Sequence, residues 1–132
     1  MIFKQYTQSV EVGGIGIDAK ITIEVHEDNE TNPSEDFDFG NEEENAAYLA
    51  RFVKGELFMG TILVRAEALG ESGIDAMGAC HLSSNNMFNS EPFEASVNNL
   101  LTDYAMVEKA IDELRENIKD KATMLKRLAL TF

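Results

Sequence analysis

The sequence predicts an α+β fold: a four-stranded antiparallel sheet with a short helix and a long C-terminal helix, in the order ββαββα. Three observations carry this. Apolar and polar residues alternate over residues 17–26. Turn-forming residues divide the β-rich stretches into two hairpins. A seven-residue apolar repeat then runs through most of the chain beyond residue 93. With 132 residues, 44% of them hydrophobic, the expectation is a single α+β domain over 1–132.

In the first arm of the first hairpin, Ile2, Tyr6, Val10 and Val12 fall on even positions. In the second, Ile17, Ala19, Ile21, Ile23 and Val25 alternate with Asp18, Lys20, Thr22, Glu24 and His26, as a strand with one buried face requires. Gly13, Gly14 and Gly16 supply the turn. The GGIG spacing lacks the third glycine and the following helix of a dinucleotide loop.

An acidic loop is read over 26–41. Asn41 then opens a short helix, with Glu44 three places on as in a capping box. Tyr48, Leu49, Phe52 and Val53 form its apolar stripe, and Gly55 ends it. LFMGTILVRAEAL, residues 57–69, and GIDAMGACHL, residues 73–82, read as the second hairpin, turning through GESG at 70–73. Ile74, Ala76, Gly78, Cys80 and Leu82 are expected on one face. The small residues Ala76, Gly78 and Ala79 suggest a close-packed helix there.

The long C-terminal helix is expected over about 93–128. Val97, Tyr104, Ile111, Ile118 and Leu125 recur every seven residues, and Leu100, Val107, Leu114 and Leu128 fill most of the interleaved positions. One continuous helix of that length would span roughly 50 Å, more than a small sheet covers. Either it breaks near Asn117–Asp120 or its far end meets another chain. The second reading makes these nine residues a homodimer seam.

Composition narrows the function. No apolar run approaches the ~20 residues of a membrane helix, and the N-terminus does not read as a signal peptide, so a cytoplasmic protein is expected. Cys80 is the one cysteine, which excludes an internal disulfide and an all-cysteine zinc site. It reads as a buried structural thiol. Its neighbour His81 points to the opposite face of the strand, so the two do not form a nucleophile–base pair.

The net charge is −13, and it is concentrated. Residues 21–50 hold ten acidic groups and no Lys or Arg, whereas 1–20 and 97–132 each sum to zero. Such a block repels nucleic acid and anionic membrane and attracts cationic surfaces. Calcium-loop spacing fails: with Asp36 first, the sixth position is Asn41 and the twelfth Ala47. The DFG at 38–40 stands without any other kinase signature. No catalytic residues, metal site or cofactor are assigned.

A helix start with its dipole explains Glu42, Glu43 and Glu44. It does not explain Glu27, Asp28, Glu30, Glu35, Asp36 and Asp38. The expected role is therefore recognition of a basic protein, or of the nucleic-acid-binding surface of a protein complex, by Glu27, Asp28, Glu30, Glu35, Asp36, Asp38, Glu42 and Glu43. Phe37 and Phe39 would be the apolar anchors. Phage-encoded anti-restriction and anti-CRISPR proteins act in this way as a class, often as DNA mimics, which would put the protein in the cytoplasm of a bacterial host. An immunity protein or antitoxin against a basic nuclease is the alternative. A structural or accessory protein assembling through its last helix is a third. All three rest on charge and size.

Overall fold

The computed structural model describes residues 1–28, 41–83 and 91–132. Strands β1 (Ile2–Val12) and β2 (Ile15–Glu27) pair antiparallel, with Val12 opposite Ile15 and Tyr6 opposite Ile21. Two residues make the turn. Gly13 and Gly14 have φ of 59° and 80°, the left-handed pair that a tight right-twisted hairpin requires. Helix α1 (Glu42–Val53) follows, then β3 (Leu57–Ala68) and β4 (Glu71–Ser83). Helices α2 (Glu91–Asp103) and α3 (Met106–Thr131) complete the chain. The strands form one four-stranded antiparallel sheet in the order β1-β2-β3-β4, so the predicted α+β class is what the chain adopts.

The turn between β3 and β4 is also two residues, not the four of GESG. Leu69 and Gly70 both have positive φ, 54° and 75°, and both strands run on to meet them.

The stretch read as one helix over about 93–128 is two. Ala105 adopts the left-handed conformation, φ 49° and ψ 44°, and the helices end and restart around it. A left-handed alanine costs about 1–2 kcal/mol. Packing on both sides offsets this: Val97 and Leu101 before the break and Met106 and Ala110 after it are all buried. The break lies well before the Asn117–Asp120 region that the sequence offered as the alternative to a homodimer.

The chain divides into two compact units that share strands β2, β3 and β4. The first gathers Met1–Glu24, Leu63–Ala76 and Ala105–Phe132. Its core sets Val10, Ile21, Ile23 and Val64 with Met106, Ile111 and Leu114 of α3. Helix α3 lies flush on β4 at Gly73. A Cβ there would strike the Ala110 carbonyl oxygen and the Leu114 amide nitrogen, and would lie 3.0 Å from Leu114 Cα. Side-chain bonds fix the helix along its length. Arg115 Nε donates to the Glu11 carbonyl at 3.0 Å, Asn117 Nδ2 to that of Ser72 at 2.7 Å, and Lys121 Nζ to that of Leu69 at 3.0 Å.

The second unit comprises Val25–Ile62 and Met77–Tyr104. Here both sheet faces carry a helix. Gly60 lies against Leu82 Cδ1 and Phe58 Cε2, so these three share a face, and Phe58 stacks on buried Phe93 of α2 at 6.1 Å. His81 points the other way and is covered by α1.

The expected single face of Ile74, Ala76, Gly78, Cys80 and Leu82 is not found. Ile74, Ala76 and Gly78 are exposed, whereas Cys80 and Leu82 are buried. Between them Ala79 has φ 53°. One left-handed residue in a strand acts as a bulge and shifts the side-chain alternation by one. The close helix approach accordingly falls at Gly73 instead of Ala76 and Gly78.

Candidate partner-binding surface

The acidic block enters the described structure at both of its ends, and both belong to the second unit. At the β2 end Glu27 is exposed and Asp28 half-exposed. The Asp28 amide donates to the Met59 carbonyl at 2.8 Å, which fixes the backbone of this end against β3. Glu30, Glu35, Asp36, Phe37, Asp38 and Phe39, predicted as the centre of the surface, lie outside the described residues.

The other end is the first turn of α1. Asn41 is extended, φ −139° and ψ 121°, and its Oδ1 accepts from the amides of Glu43 at 2.8 Å and Glu44 at 3.3 Å. That is the N-cap expected from the sequence. Glu42, Glu43 and Glu44 are all exposed on this turn. The helix dipole favours their charge there, so three carboxylates are held together at little cost in repulsion. The far end closes as Gly55 implied. With φ 77° at Gly55, its amide donates to Phe52 and that of Glu56 to Arg51, a Schellman ending.

No residue of α1 is fully buried. What attaches it is an aromatic cluster of Tyr48, Phe52 and His81. Tyr48 Oη and His81 Nδ1 are hydrogen-bonded at 2.9 Å, and the ring centroids of the three lie 5.3–5.6 Å apart. Arg51 lies over the Tyr48 ring at 5.8 Å and within 3.6 Å of Glu56. Glu44, Ala47, Tyr48 and Arg51 line a shallow, mostly apolar concavity of about 320 Å³. The carboxylates of the first turn thus adjoin an apolar depression with an aromatic floor, and Val53 is exposed at the far end of the same helix. Sequence reasoning placed Tyr48 and Phe52 on an internal stripe and missed this depression. The available signal was a short helix with only one stripe of large side chains and three glutamates at its head.

The nine seam residues separate into groups. Val97, Ile111, Leu114 and Ile118 are buried within the chain, so they cannot also serve as a surface for another copy. Leu100 and Val107 are half-buried. Tyr104, Leu125 and Leu128 are exposed.

A second concavity, of about 510 Å³, belongs to the first unit and is lined by Lys20, Arg65, Glu67, Glu71 and Ile74 among others. Arg65 pairs with Glu67 at 3.7 Å and Glu71 with Lys121 at 3.5 Å, so cations and carboxylates are interleaved there without net preference. Cys80 is buried, and its thiol donates to the Met77 carbonyl at 3.3 Å. Among the described residues, no group of three or more His, Cys, Asp or Glu is placed to hold a metal ion. No helix among them is long and apolar enough to cross a membrane. Compared with known proteins, the chain has no significant match to a family model, a curated protein or a solved structure.

Proposed function

We propose that this protein is a non-catalytic binding protein that occupies a cationic, nucleic-acid-binding surface of another protein complex, in the manner of a DNA mimic. One observation carries the reading: the ten carboxylates without a Lys or Arg over residues 21–50. The geometry at the ends of the block supports it. Glu42, Glu43 and Glu44 stand exposed on a capped helix turn, beside the apolar depression at Tyr48. Carboxylates in this setting speed encounter by about 10–10³-fold through steering. Exposed ion pairs contribute only about 0–1 kcal/mol each, so holding the partner requires apolar contacts, and the depression supplies a place for them.

Capture from a bacterial lysate tests this. Wild-type protein is compared with a variant carrying Glu27→Lys, Asp28→Lys, Glu42→Lys and Glu43→Lys. The expected result is a nucleic-acid-binding complex retained at about 0.1 M salt and released at about 1 M, where the Debye length falls from ~10 to ~3 Å. The variant is expected to lose it, and added duplex DNA to compete for it. Retention by the variant equal to wild type refutes the proposal. A single basic nuclease as the captured species would make the protein an immunity protein instead.

A further inference from the structure

Strand β1 forms one edge of the sheet, and its free side is open. Val12 and Ile15 flank a two-residue turn, so this pair exchanges both of its backbone hydrogen bonds. The register then runs unbroken back to Lys4, and Val10, Gln8 and Tyr6 bond to β2 in the same way. The residues between them, Glu11, Ser9, Thr7 and Gln5, therefore aim their N–H and C=O groups away from the sheet. From that side Arg115 Nε of α3 donates to the Glu11 carbonyl at 3.0 Å. Gln5, Thr7 and Ser9 are exposed, and among the described residues nothing bonds their outward backbone groups.

A row of unpaired backbone groups is a template for another strand, and folded proteins guard such rows with charges, proline or a bulge. The opposite edge, β4, is guarded: Ala79 bulges it, and Asp75 puts a charge in its middle. From Gln5 to Ser9, β1 has no charge, no proline and no bulge. Its charge balance also sets it apart. The strand carries one cation, Lys4, and one carboxylate, Glu11, near its two ends, whereas the whole chain carries −13. Two copies of so acidic a chain repel each other, and a neutral edge is where they approach at least cost.

We propose that this edge pairs antiparallel with the same edge of a second copy, across a two-fold axis at Thr7. In that register Thr7 faces Thr7 of the second copy, and Gln5 of each copy faces Ser9 of the other. Each of these pairs exchanges two backbone bonds, so every outward group of Gln5, Thr7 and Ser9 finds a partner. A slide by two residues leaves Ser9 or Gln5 without one, or sets Gln5 against Glu11, whose carbonyl Arg115 already holds. The side chains agree with the backbone. On the face of Gln5, Thr7 and Ser9, hydroxyl meets hydroxyl and amide meets hydroxyl, pairs that hydrogen-bond across strands. Lys4 falls opposite Val10, and no like charges of the two strands oppose each other. The two four-stranded sheets become one continuous sheet. The contact is small beside the ~1,600 Å² of a standard interface, which corresponds to a dissociation constant of about 100 µM. The inference concerns a different part of the chain from the acidic block and stands or falls separately from it.

Residue-resolved amide hydrogen exchange at about 10 µM and about 1 mM protein is the test, in ~0.15 M salt to screen the net charge. The amides of Gln5, Thr7 and Ser9 are expected to exchange about fourfold more slowly in the concentrated sample. Those of Tyr6, Gln8 and Val10, already bonded to β2, are expected to be protected in both. Sedimentation equilibrium is expected to show the mass rising from 14.7 kDa towards twice that value. Thr7→Pro removes the N–H at the axis and spares the ladder to β2, because that N–H faces outward. It is expected to stay monomeric with unchanged far-ultraviolet circular dichroism. Thr7→Lys, which opposes two ammonium groups at the axis, is expected to weaken pairing at least tenfold. Ala76→Lys, on the β4 edge, is expected to pair as wild type. A wild-type protein monomeric at 1 mM overturns the proposal, as does a dimer in which Gln5, Thr7 and Ser9 exchange as in the dilute sample. Pairing kept by Thr7→Pro and lost in Ala76→Lys would move the contact to β4 and equally overturn it.

Discussion

Replacing Gly73 by alanine adds one methyl group at the point where α3 touches the sheet. The methyl meets backbone, the carbonyl of Ala110 and the amide of Leu114, so no side chain can swing aside. Ordinary carbon contact begins near 3.5 Å, and reaching it requires the helix to lift by about 1 Å or more. A gap of that size forfeits a quarter to a half of each contact it opens. The side chains that lose contact include Ile111, Leu114 and Ile118, all buried under α3. Each contributes about 2 kcal/mol by burial, so the expected loss is about 2–3 kcal/mol. That is a substantial part of the 5–15 kcal/mol typical of a domain, and lowers the melting temperature by about 8–12 °C. Urea and thermal denaturation followed by circular dichroism measure it. Gly78→Ala is the matched control, because its added Cβ finds only Thr61 Oγ1, at 3.9 Å, and its cost is expected to stay below about 0.5 kcal/mol. If the two variants are equally stable, the flush packing of α3 on β4 is wrong.

Two further outcomes follow from local chemistry. Burial of the Tyr6 hydroxyl, with the Glu108 carboxylate adding to it, raises the pKa above the ordinary tyrosine value near 10. The raised value favours the neutral form in the folded state. The resulting stability is therefore complete below about pH 10 and is lost as pH climbs through the folded-state value. Melting temperatures of wild type and Tyr6→Phe between about pH 9 and 11.5 are expected to diverge, with the shallower alkaline decline in the variant; parallel declines refute the assignment. Asn41→Ala removes the acceptor for two amides of α1 and is expected to cost about 1 kcal/mol locally. Hydrogen exchange at Glu43 and Glu44 is then about fivefold faster, and unchanged exchange would mean that the cap holds nothing.

The legible parts of the fold were those written in neighbouring residues. Asn41 and Gly55 carry their own cap chemistry, and the alternation from Ile17 to Val25 states its buried face within nine residues. Ala105 and Ala79 carry no such statement. Alanine favours the right-handed helix, yet both stand at positive φ, and no residue beside them signals it. The heptad repeat was real but divided its work: Ile111, Leu114 and Ile118 are buried, whereas Leu125 and Leu128 are exposed. The site divides in the same way. Its charge is local and visible, whereas the aromatic depression depends on Tyr48 meeting His81, thirty-three residues away.

The left-handed residue at Ala79 has a reach beyond its own strand. Along β4, membership of the core is a matter of parity: odd at Gly73, even at Cys80 and Leu82. Ala79 is where the parity flips. Keeping that residue but drawing it into ordinary extended backbone would carry the odd-numbered face past it and exchange the roles of everything on one side. Cys80 and Leu82 would turn towards α1, and His81 would turn away from Tyr48. The anchorage of the acidic helix is thus set by the backbone conformation of one alanine two residues before the histidine that receives it.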